Sequence, residues 1–301
     1  MRAAFVKINQ VPTRVACWGK WIEESFSEDD CKDIVLMIAG NPGITGYYEQ
    51  FLQTIHQETG YNVWALSHAG HEDPQSERIM KMPRLEGNSD LYNLKGQIAH
   101  KIAFVKQYVP SDARVHILGH SIGAYMCTNM LDDPRIHKAY LLFPTIERMA
   151  DSPNGRFYVR FVQRIQTILL ILSYLFSLLP QIIRNLVGVV ILYLGGFDRA
   201  FLQPMLTLSS PSVARKVMFL ADDEMASVRQ RNDALIKAHQ DKIVGYYGQT
   251  DGWTPIKYYE DIRRDIPGVQ VQLASKEFEH AYVLKHSREV AMVISDLIRA
   301  N

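Results

Sequence analysis

Short apolar runs alternate with longer segments of helical period along most of this chain. Residues 4–8 and 14–18 are close enough to pair as the two strands of a hairpin. Residues 34–39 and 62–66 are nearly continuous apolar runs, which is typical of parallel strands that are covered on both faces. Residues 94–109 repeat apolar side chains at helical spacing. The beginning of the chain therefore predicts an α/β fold.

The same alternation continues to the end of the chain, with one long interruption. Strand patterns recur at residues 114–118, 139–143, 242–247 and 269–273, and a helical pattern closes the chain at 289–299. These runs predict one mostly parallel central sheet with helices on both faces. We assign residues 1–144 and 241–301 to this core and residues 145–240 to a helical cap inserted into it. Within the cap, residues 222–239 are charged and amphipathic and predict a surface helix.

The cap contains the most apolar part of the sequence. No charged residue lies between Arg164 and Arg184, and none lies between Arg184 and Asp198. A helix that spans a membrane needs about 20 apolar residues. The second run is shorter than that, and Pro180 interrupts the segment near its middle. We therefore expect a hydrophobic helical hairpin at about residues 165–197, with Pro180 near its turn.

Composition narrows the class of protein. The chain has 301 residues, of which 47% are hydrophobic and 22% are charged, which is typical of a folded protein. Its formal net charge of +1 provides no field that would attract a nucleic acid, so we expect no nucleic-acid partner. The three cysteines form neither a disulfide framework nor a zinc-binding pattern, which favours a reducing compartment. The absence of an N-x-S/T sequon favours the cytosolic face of a membrane.

A candidate nucleophile lies where a strand is expected to turn into a helix. Residues 119–123 read Gly-His-Ser-Ile-Gly and directly follow the predicted strand 114–118. A G-x-S-x-G turn needs small residues on both sides of the serine because the backbone is crowded there. Ser121 is therefore the expected nucleophile. We expect its neighbour His120 to pack or to form a local hydrogen bond rather than to act as the base.

A nucleophilic serine needs an imidazole that accepts its proton and a carboxylate that orients the imidazole. Asp251 and His280 each follow one of the two last predicted strands. Both therefore lie at the carboxyl end of the sheet, in the chain order Ser, Asp, His that α/β-hydrolases use. The predicted catalytic triad is Ser121, Asp251 and His280.

Backbone N–H groups near the nucleophile are needed to stabilise the oxyanion of a tetrahedral intermediate. Ile122 supplies one because it follows the nucleophile directly. The glycine-containing loop after the predicted strand 34–39 is the expected source of a second donor, from Asn41, Gly43 or Ile44. The sequence leaves open which of these N–H groups points at the substrate.

The spacing of His68, His71 and Asp73 raises the question of a metal site. These residues fall in a predicted loop, and no further cluster of ligands accompanies them, so a metal is disfavoured. We expect the chemistry to need neither a metal nor another cofactor.

The position of the hairpin in the chain limits how it meets a membrane. Ser121 precedes the hairpin, and Asp251 and His280 follow it, so a single crossing would place them on opposite sides of the membrane. We therefore expect the hairpin to return to its starting side, within one leaflet or a phospholipid monolayer. The arginines expected to meet lipid headgroups are Arg160, Arg164, Arg184 and Arg199. The alternative is a buried pair of cap helices in a water-soluble enzyme.

Several motifs occur together in this chain. They are AGNPGITGYY at residues 39–48, LSHAGH at 66–71, GHSIGAY at 119–125, the long apolar insert, GQTDGW at 248–253 and EHAYV at 279–283. With them, nearly the whole chain resembles the lipid droplet-associated hydrolases of the α/β-hydrolase superfamily. The resemblance implies a serine hydrolase of neutral lipid that associates with lipid droplets and the endoplasmic reticulum. It places the family's triad on Ser121, Asp251 and His280, and it suggests sterol esters and triacylglycerol as substrates.

The leading hypothesis is a membrane-associated serine ester hydrolase that cleaves neutral-lipid esters through an acyl-enzyme. We expect it on the cytosolic face of lipid droplets and the endoplasmic reticulum, docked through the hairpin on the droplet monolayer or the membrane. One alternative is a structural or trafficking protein of the droplet surface with little turnover. Another is acyl transfer or thioester hydrolysis by the same triad, since an acyl-enzyme can react with different acceptors. The sequence sets neither the oligomeric state nor the acyl chain length.

Overall fold

The centre of the fold is one mixed β-sheet. The computed structural model describes residues 1–74 and 80–300, and within these residues eight strands form the sheet. They are β1 (Arg2–Ile8), β2 (Val11–Trp18), β3 (Asp33–Ile38), β4 (Asn62–Leu66), β5 (Arg114–His120), β6 (Ile136–Leu142), β7 (Ile243–Tyr247) and β8 (Gln270–Leu273). Their order across the sheet is β1-β2-β4-β3-β5-β6-β7-β8. β2 runs antiparallel to β1 and β4, and all other neighbouring strands are parallel.

Each strand expected from the sequence is present, with its ends shifted by a few residues at most. The prediction of a single sheet is confirmed, because β6 and β7 pair in parallel although the cap separates them in the sequence. All residues of β3 and β7 are buried. This burial on both faces explains why the central strands read as continuous apolar runs rather than as alternating ones.

Helices cover both faces of the sheet and build the cap. The α-helices of the described residues are α1 (Glu49–Thr59), α2 (Leu94–Tyr108), α3 (Ile122–Thr128), α4 (Pro153–Phe157), α5 (Gln163–Ser177), α6 (Gln181–Gly195), α7 (Leu202–Leu208), α8 (Pro211–Ser227), α9 (Asp233–Ala238), α10 (Ile256–Asp265) and α11 (Ser287–Arg299). A π-helical turn (Tyr158–Val162) joins α4 to α5. Helices α4 to α9 therefore all belong to the cap between β6 and β7.

Two hydrophobic cores lie on opposite faces of the sheet. On one face, Phe51 of α1 and Val290 of α11 share a core with Val35 of β3. On the other, Phe104 of α2 shares a core with Leu36, the next residue of β3, and α3 and α10 add side chains to this second core. Successive residues of one strand point to opposite faces. The predicted fold class, a parallel sheet with helices on both faces, is confirmed by this arrangement.

The cap is built in layers over the carboxyl end of the sheet. α5 packs mainly on α8, and α6 packs mainly on α7. The Ser173 hydroxyl on α5 donates a hydrogen bond to the Ser209 carbonyl between α7 and α8, at 2.7 Å. Gly188 brings α6 close to α7, because a Cβ atom there would lie only 2.6 Å from the Leu202 side chain. The two most apolar helices therefore form the outer layer of the cap.

This outer layer is exposed rather than buried. α5 has no buried residue, and α6 buries only Gly188 and Leu192. The exposed large side chains, which we call the apolar face, are Phe157, Val159, Phe161, Ile165, Ile168, Ile171, Leu172, Tyr174, Leu175, Leu178, Leu179, Ile182, Ile183, Leu186, Val190, Ile191, Tyr193 and Leu194. By length and composition, the helical stretch Pro153–Ser177 is long and apolar enough to cross a membrane. The alternative of a buried pair of cap helices is therefore wrong.

The prediction of a single surface helix over residues 222–239 is also wrong. The first part of this segment is the end of α8, and the rest forms the separate short helix α9. α8 does not lie only on the surface, because its own residues Leu220, Glu224 and Met225 are buried. The charged pattern concealed this inward side because one of its buried positions is a glutamate.

Candidate active site

Ser121 occupies the sharp turn between β5 and α3. Its backbone has φ 54° and ψ −123°, a conformation that residues other than glycine rarely adopt. The Ser121 N–H donates to the Leu142 carbonyl at 3.0 Å. The Ser121 carbonyl accepts from the N–H groups of Ala124 at 3.0 Å and Thr145 at 3.3 Å. The end of β6 and the start of α3 therefore hold the serine in its strained turn.

The two glycines of the motif make room for this turn. A Cβ atom on Gly119 would lie 2.7 Å from the Cα atom of Ala124. A Cβ atom on Gly123 would lie 2.2 Å from the carbonyl oxygen of Ile38. Both clashes are with backbone atoms, which cannot rotate away as a side chain can. α3 therefore reaches the ends of β5 and β3 only because these two positions lack side chains, as the motif predicts.

The structure brings the three predicted catalytic side chains together. His280 Nε2 lies 2.9 Å from Ser121 Oγ, and His280 Nδ1 lies 2.6 Å from Asp251 Oδ2. In the neutral imidazole, Nδ1–H donates to the carboxylate and Nε2 accepts from the serine hydroxyl. The Asp251 side chain is fully buried, whereas that of His280 is 17% exposed. This line of hydrogen bonds has the geometry that general-base activation of a serine requires.

The carboxylate of Asp251 is held by donors on both of its oxygens. Oδ1 accepts from the N–H groups of Trp253 at 2.7 Å and Thr254 at 3.2 Å, and Oδ2 accepts from the Thr254 hydroxyl at 2.7 Å. Burial alone would raise the pKa of this carboxyl. The pKa of Asp251 nevertheless lies below its usual value, because His280 and these donors favour the charged form. The loop after β7 therefore presents a fixed, ionised carboxylate to His280.

His120 holds the segment that carries His280. His120 Nε2 donates to the His280 backbone carbonyl at 2.9 Å. His120 Nδ1 is therefore the unprotonated nitrogen, and it accepts from the Tyr48 hydroxyl at 2.7 Å. The Tyr48 oxygen in turn accepts the N–H of Gly40 at 2.9 Å. Burial lowers the pKa of His120 to about 3, so the ring stays neutral and these bonds persist near neutral pH. The chain of bonds connects the loop after β3 to His280.

Replacing Tyr48 by phenylalanine is expected to lower the free energy of unfolding by about 1–3 kcal/mol, because it leaves two buried groups, the Gly40 N–H and His120 Nδ1, without partners. Urea denaturation followed by circular dichroism measures this loss. Tyr193→Phe is the matched control, because Tyr193 is 83% exposed and its hydroxyl faces solvent. Equal stabilities of the two variants would contradict this role of the Tyr48 hydroxyl.

Three of the four predicted backbone N–H groups remain as candidate oxyanion donors. Ile122 is the first residue of α3, where N–H groups have no acceptor within the helix. Asn41 lines the same pocket as Ser121. The Gly43 N–H instead donates to His71 Nδ1 at 2.9 Å, so its inclusion among the oxyanion donors is wrong. Ile122, Asn41 and Ile44 therefore stay predicted donors, and of these three Asn41 lines the pocket.

The loop beyond Asn41 packs on a buried pair of histidines. A Cβ atom on Gly43 would lie 2.2 Å from the His68 ring, and neither Gly43 nor Ile44 is among the described residues that line the pocket. Burial lowers the pKa of His71 to about 3, which leaves its Nδ1 free to accept the Gly43 N–H. Within residues 1–74 and 80–300, no group of three or more potential metal ligands occurs. His68 and His71 thus support the loop beside Ser121.

Ser121 and His280 border a pocket of about 440 Å³. Its walls are largely apolar and come from both the core and the cap. The cap residues in the wall are Met149, Tyr158, Leu208, Val217, Met218, Ala221, Glu224 and Met225. A mostly apolar pocket with a few convergent polar groups is the usual form of a binding site for a small apolar molecule. The sequence did not indicate this cap wall, because residues 222–239, which include the end of α8, were expected at the surface.

Fold and site together define a class of protein. A mostly parallel sheet, a serine at a strand-to-helix turn, and an acid and a histidine after later strands are features of α/β-hydrolases. The chain is similar in structure to a serine hydrolase involved in carbazole degradation (TM-score 0.64, 15% identity, 100% of this chain and 99% of that one). It is also similar to a membrane phospholipase A described as a bacterial virulence factor (TM-score 0.63, 13% identity, 99% and 86%). The protein is an α/β-hydrolase by fold.

Sequence relatives specify the family within this class. The family model for lipid-droplet associated hydrolase matches residues 31–283. A lipid droplet-associated hydrolase of Drosophila melanogaster is 44% identical over 99% of this chain and 98% of its own length. Those of Mus musculus and Homo sapiens are 34% and 33% identical, over 99% and 98% of this chain and 95% and 94% of their own lengths. The chain belongs to the lipid droplet-associated hydrolase family.

Proposed function

We propose that this protein hydrolyses acyl esters of neutral lipids at the surface of lipid droplets, with Ser121, His280 and Asp251 as its catalytic triad. The observation that carries the proposal is the line of hydrogen bonds from Ser121 Oγ through His280 to Asp251, at the edge of an apolar pocket. Membership of a family of droplet-associated hydrolases agrees with it. The proposal needs no metal or organic cofactor, because this triad type acts by nucleophilic catalysis.

Acylation of Ser121 is the first half of the proposed reaction. His280 Nε2 takes the hydroxyl proton as Ser121 Oγ attacks the acyl carbonyl carbon, and Asp251 stabilises the imidazolium that forms. The N–H groups of Ile122 and Asn41 stabilise the oxyanion of the tetrahedral intermediate. The intermediate collapses when the bond to the alcohol oxygen breaks, and His280 gives its proton to that oxygen. The alcohol leaves, and the acyl group stays on Ser121 as an ester.

Deacylation completes the reaction by the same steps with water in place of serine. His280 takes a proton from the water as its oxygen attacks the acyl carbonyl carbon. The second tetrahedral intermediate breaks the bond to Ser121 Oγ, which recovers its proton from His280. The products are one carboxylic acid and one alcohol, and the enzyme returns to its starting state. For sterol esters or acylglycerols, the acid is a fatty acid.

Docking of the apolar face on lipid brings the pocket close to its substrates. The exposed side chains extend along both α5 and α6, so we propose that the face lies flat on the monolayer with α7 and α8 behind it. Arg160, Arg164 and Arg199 are exposed near the start of α5 and the end of α6, away from the turn at Pro180. We propose that they contact lipid headgroups there. Arg184 differs, because it is half-buried and donates to the Gln181 side chain.

We propose that the protein docks on the cytosolic face of lipid droplets and of the endoplasmic reticulum. We propose that residues 1–144 and 241–301 form the hydrolase core and that residues 145–240 form the cap. The segment at about residues 165–197 is the part of the cap that enters the lipid. Both ends of that segment connect to the same globular body, so the chain leaves and returns on one side of the membrane.

The proposal is tested by incubating the purified protein with phospholipid-coated emulsions of a sterol ester or a triacylglycerol and measuring free fatty acid. We expect release of fatty acid from at least one of the two emulsions, and the ratio between them indicates the preferred alcohol. No release from either emulsion, together with no reaction of Ser121 with an ester analogue, would contradict hydrolysis as the function.

Two other functions predict different outcomes. A structural or trafficking protein of the droplet surface would change droplet size in cells equally as wild type and as Ser121→Ala, because its role does not need the nucleophile. An acyltransferase would convert an added alcohol to its ester in preference to releasing free acid, because the acyl-enzyme would react with the alcohol faster than with water. The second measurement uses the same purified protein as the hydrolysis assay.

A further inference from the structure

A buried glutamate from the cap lies in the wall of the pocket that contains Ser121. Glu224 is on α8 and is only 1% exposed. It lines the same pocket as Ser121, His280 and Asn41. The triad mechanism described above does not use it. A carboxyl group in so apolar a wall is costly to bury unless it has a partner, so its presence needs an explanation.

The polar atoms around Glu224 are incompletely paired. Asn41 Nδ2 donates to the Val217 carbonyl at 3.1 Å. Two buried acceptor atoms, Glu224 Oε1 and Asn41 Oδ1, have no hydrogen-bond partner among the described residues. Buried polar side-chain atoms are satisfied in the large majority of cases, and exceptions mark strained or functional positions. These two unpaired oxygens, which we call the open oxygens, therefore mark a polar spot in the pocket wall that a donor from a bound molecule would satisfy.

Burial favours the protonated form of the Glu224 carboxyl. Burial is the main cause that raises its pKa well above the usual value, and the neighbouring charge of Asp223 raises it further. The Asn41 amide lowers it, but by less than burial raises it. A protonated carboxyl offers one O–H donor and one carbonyl acceptor. Glu224 and Asn41 together therefore present both donor and acceptor capacity to the pocket.

We propose that Glu224 and Asn41 form a hydroxyl-binding subsite, and that the esters this pocket accepts best carry a free hydroxyl group, as partially esterified glycerols do. A hydroxyl donates to one of the two open oxygens and accepts from the Glu224 O–H. Triacylglycerols and sterol esters contain only acceptor oxygens, so they leave the open oxygens unpaired. The subsite thus selects among substrate classes within the proposed hydrolase function, on which this inference rests.

Binding of non-hydrolysable ethers tests the subsite without any turnover. A 1-O-alkylglycerol carries two hydroxyl groups, and its 2,3-di-O-methyl derivative has the same chain and ether oxygens but no O–H. Trp253 lines the pocket, so its fluorescence reports occupancy. We expect the wild type to bind the dihydroxy ether about tenfold or more tightly than the dimethyl ether, because the latter leaves buried acceptors unpaired.

Substitutions at Glu224 separate hydrogen bonding from shape. Glu224→Met removes donor and acceptor at similar volume, and we expect it to bind the two ethers with nearly equal affinity. Glu224→Gln keeps a neutral donor and acceptor, and we expect it to retain most of the wild-type preference. Glu289→Met is the matched control, because Glu289 is exposed on α11 and does not line the pocket. Its preference should equal that of the wild type.

Three outcomes would overturn the subsite: equal binding of the two ethers by the wild type, a preference that survives in Glu224→Met, or a loss in Glu224→Gln as large as in Glu224→Met. Thermal unfolding checks the variants, and Glu224→Met should unfold at a higher temperature because it removes an unpaired buried group. Reaction of Ser121 with a fluorophosphonate is measured on the same samples. Normal labelling with no ether preference would reject the subsite alone, and failed labelling would reject the proposed hydrolase function alone.

Discussion

Replacing Ser121 by alanine is expected to lower kcat for ester hydrolysis by about 10⁴-fold or more, because the proposed acyl-enzyme forms on the Ser121 hydroxyl. His280 and Asp251 keep their places in the variant, but the imidazole then has no hydroxyl to deprotonate. The rate is measured with a short-chain, water-soluble ester, so that docking on lipid does not affect the result. Thermal unfolding of the variant should match that of the wild type.

Ser275→Ala is the matched control for this substitution. Ser275 is exposed in the segment between β8 and His280, and the Ser275 backbone carbonyl rather than its hydroxyl accepts the Phe278 N–H. We expect the control to keep wild-type kcat. Retention of more than about a tenth of the wild-type rate by Ser121→Ala would contradict the assignment of the nucleophile, because triad serines contribute far more than that.

Replacing four side chains of the apolar face by serine is expected to weaken binding to phospholipid-coated droplets by about 10³-fold or more. Ile168, Leu172, Leu175 and Leu186 are 57%, 55%, 53% and 64% exposed, respectively. Each loses about 1 kcal/mol or more of burial in lipid, and four such losses correspond to about three powers of ten. Flotation of the protein with droplets measures the partition. Hydrolysis of the water-soluble ester should be unchanged.

Exposed apolar side chains outside the face provide the control. Met292 is 55% exposed on α11, and Ile256 is 39% exposed at the start of α10. Serine at both positions should leave droplet binding intact. Substitution is preferable to deletion of the two helices, because their inner sides cover α7 and α8. If the fourfold variant floats with droplets as well as the control does, the apolar face is not the docking surface.

The sequence predicted the core of the fold because buried strands can be recognised from their pattern of apolar residues. Strands such as β3 and β4 are covered on both faces, so they appear as uninterrupted apolar runs. The cap was harder to predict. The apolar runs of α5 and α6 indicated helices, but the same runs are compatible with burial and with exposure. Only the exposed side chains in the structure distinguish the two.

The candidate site also combines residues that the sequence could predict with contacts that it could not. Ser121, Asp251 and His280 could be predicted because each follows a strand at one end of the sheet, where parallel strands converge. The contact between Tyr48 and His120 carries no sequence signal, because it joins loops that are distant in the chain. Contacts of this kind depend on tertiary packing, which periodicity does not encode.

The loop after β3 and the cap wall of the pocket show two further limits of prediction from the sequence. Three N–H groups were plausible from the loop sequence, but the partner of Gly43 is a histidine of another loop, and spacing could not reveal it. Glu224 looked like an ordinary surface charge in an amphipathic helix. Its burial became evident only when α8 was placed over the pocket.

Covalent labelling with a fluorophosphonate, followed by mass-spectrometric mapping of the adduct, tests the proposed triad most directly. We predict one adduct, on Ser121 of the wild type. Labelling should be abolished in Ser121→Ala and slowed about 10³-fold or more in His280→Ala, since the triad acts as a unit. Labelling that persists in Ser121→Ala, or an adduct on any other residue, would contradict the proposed triad.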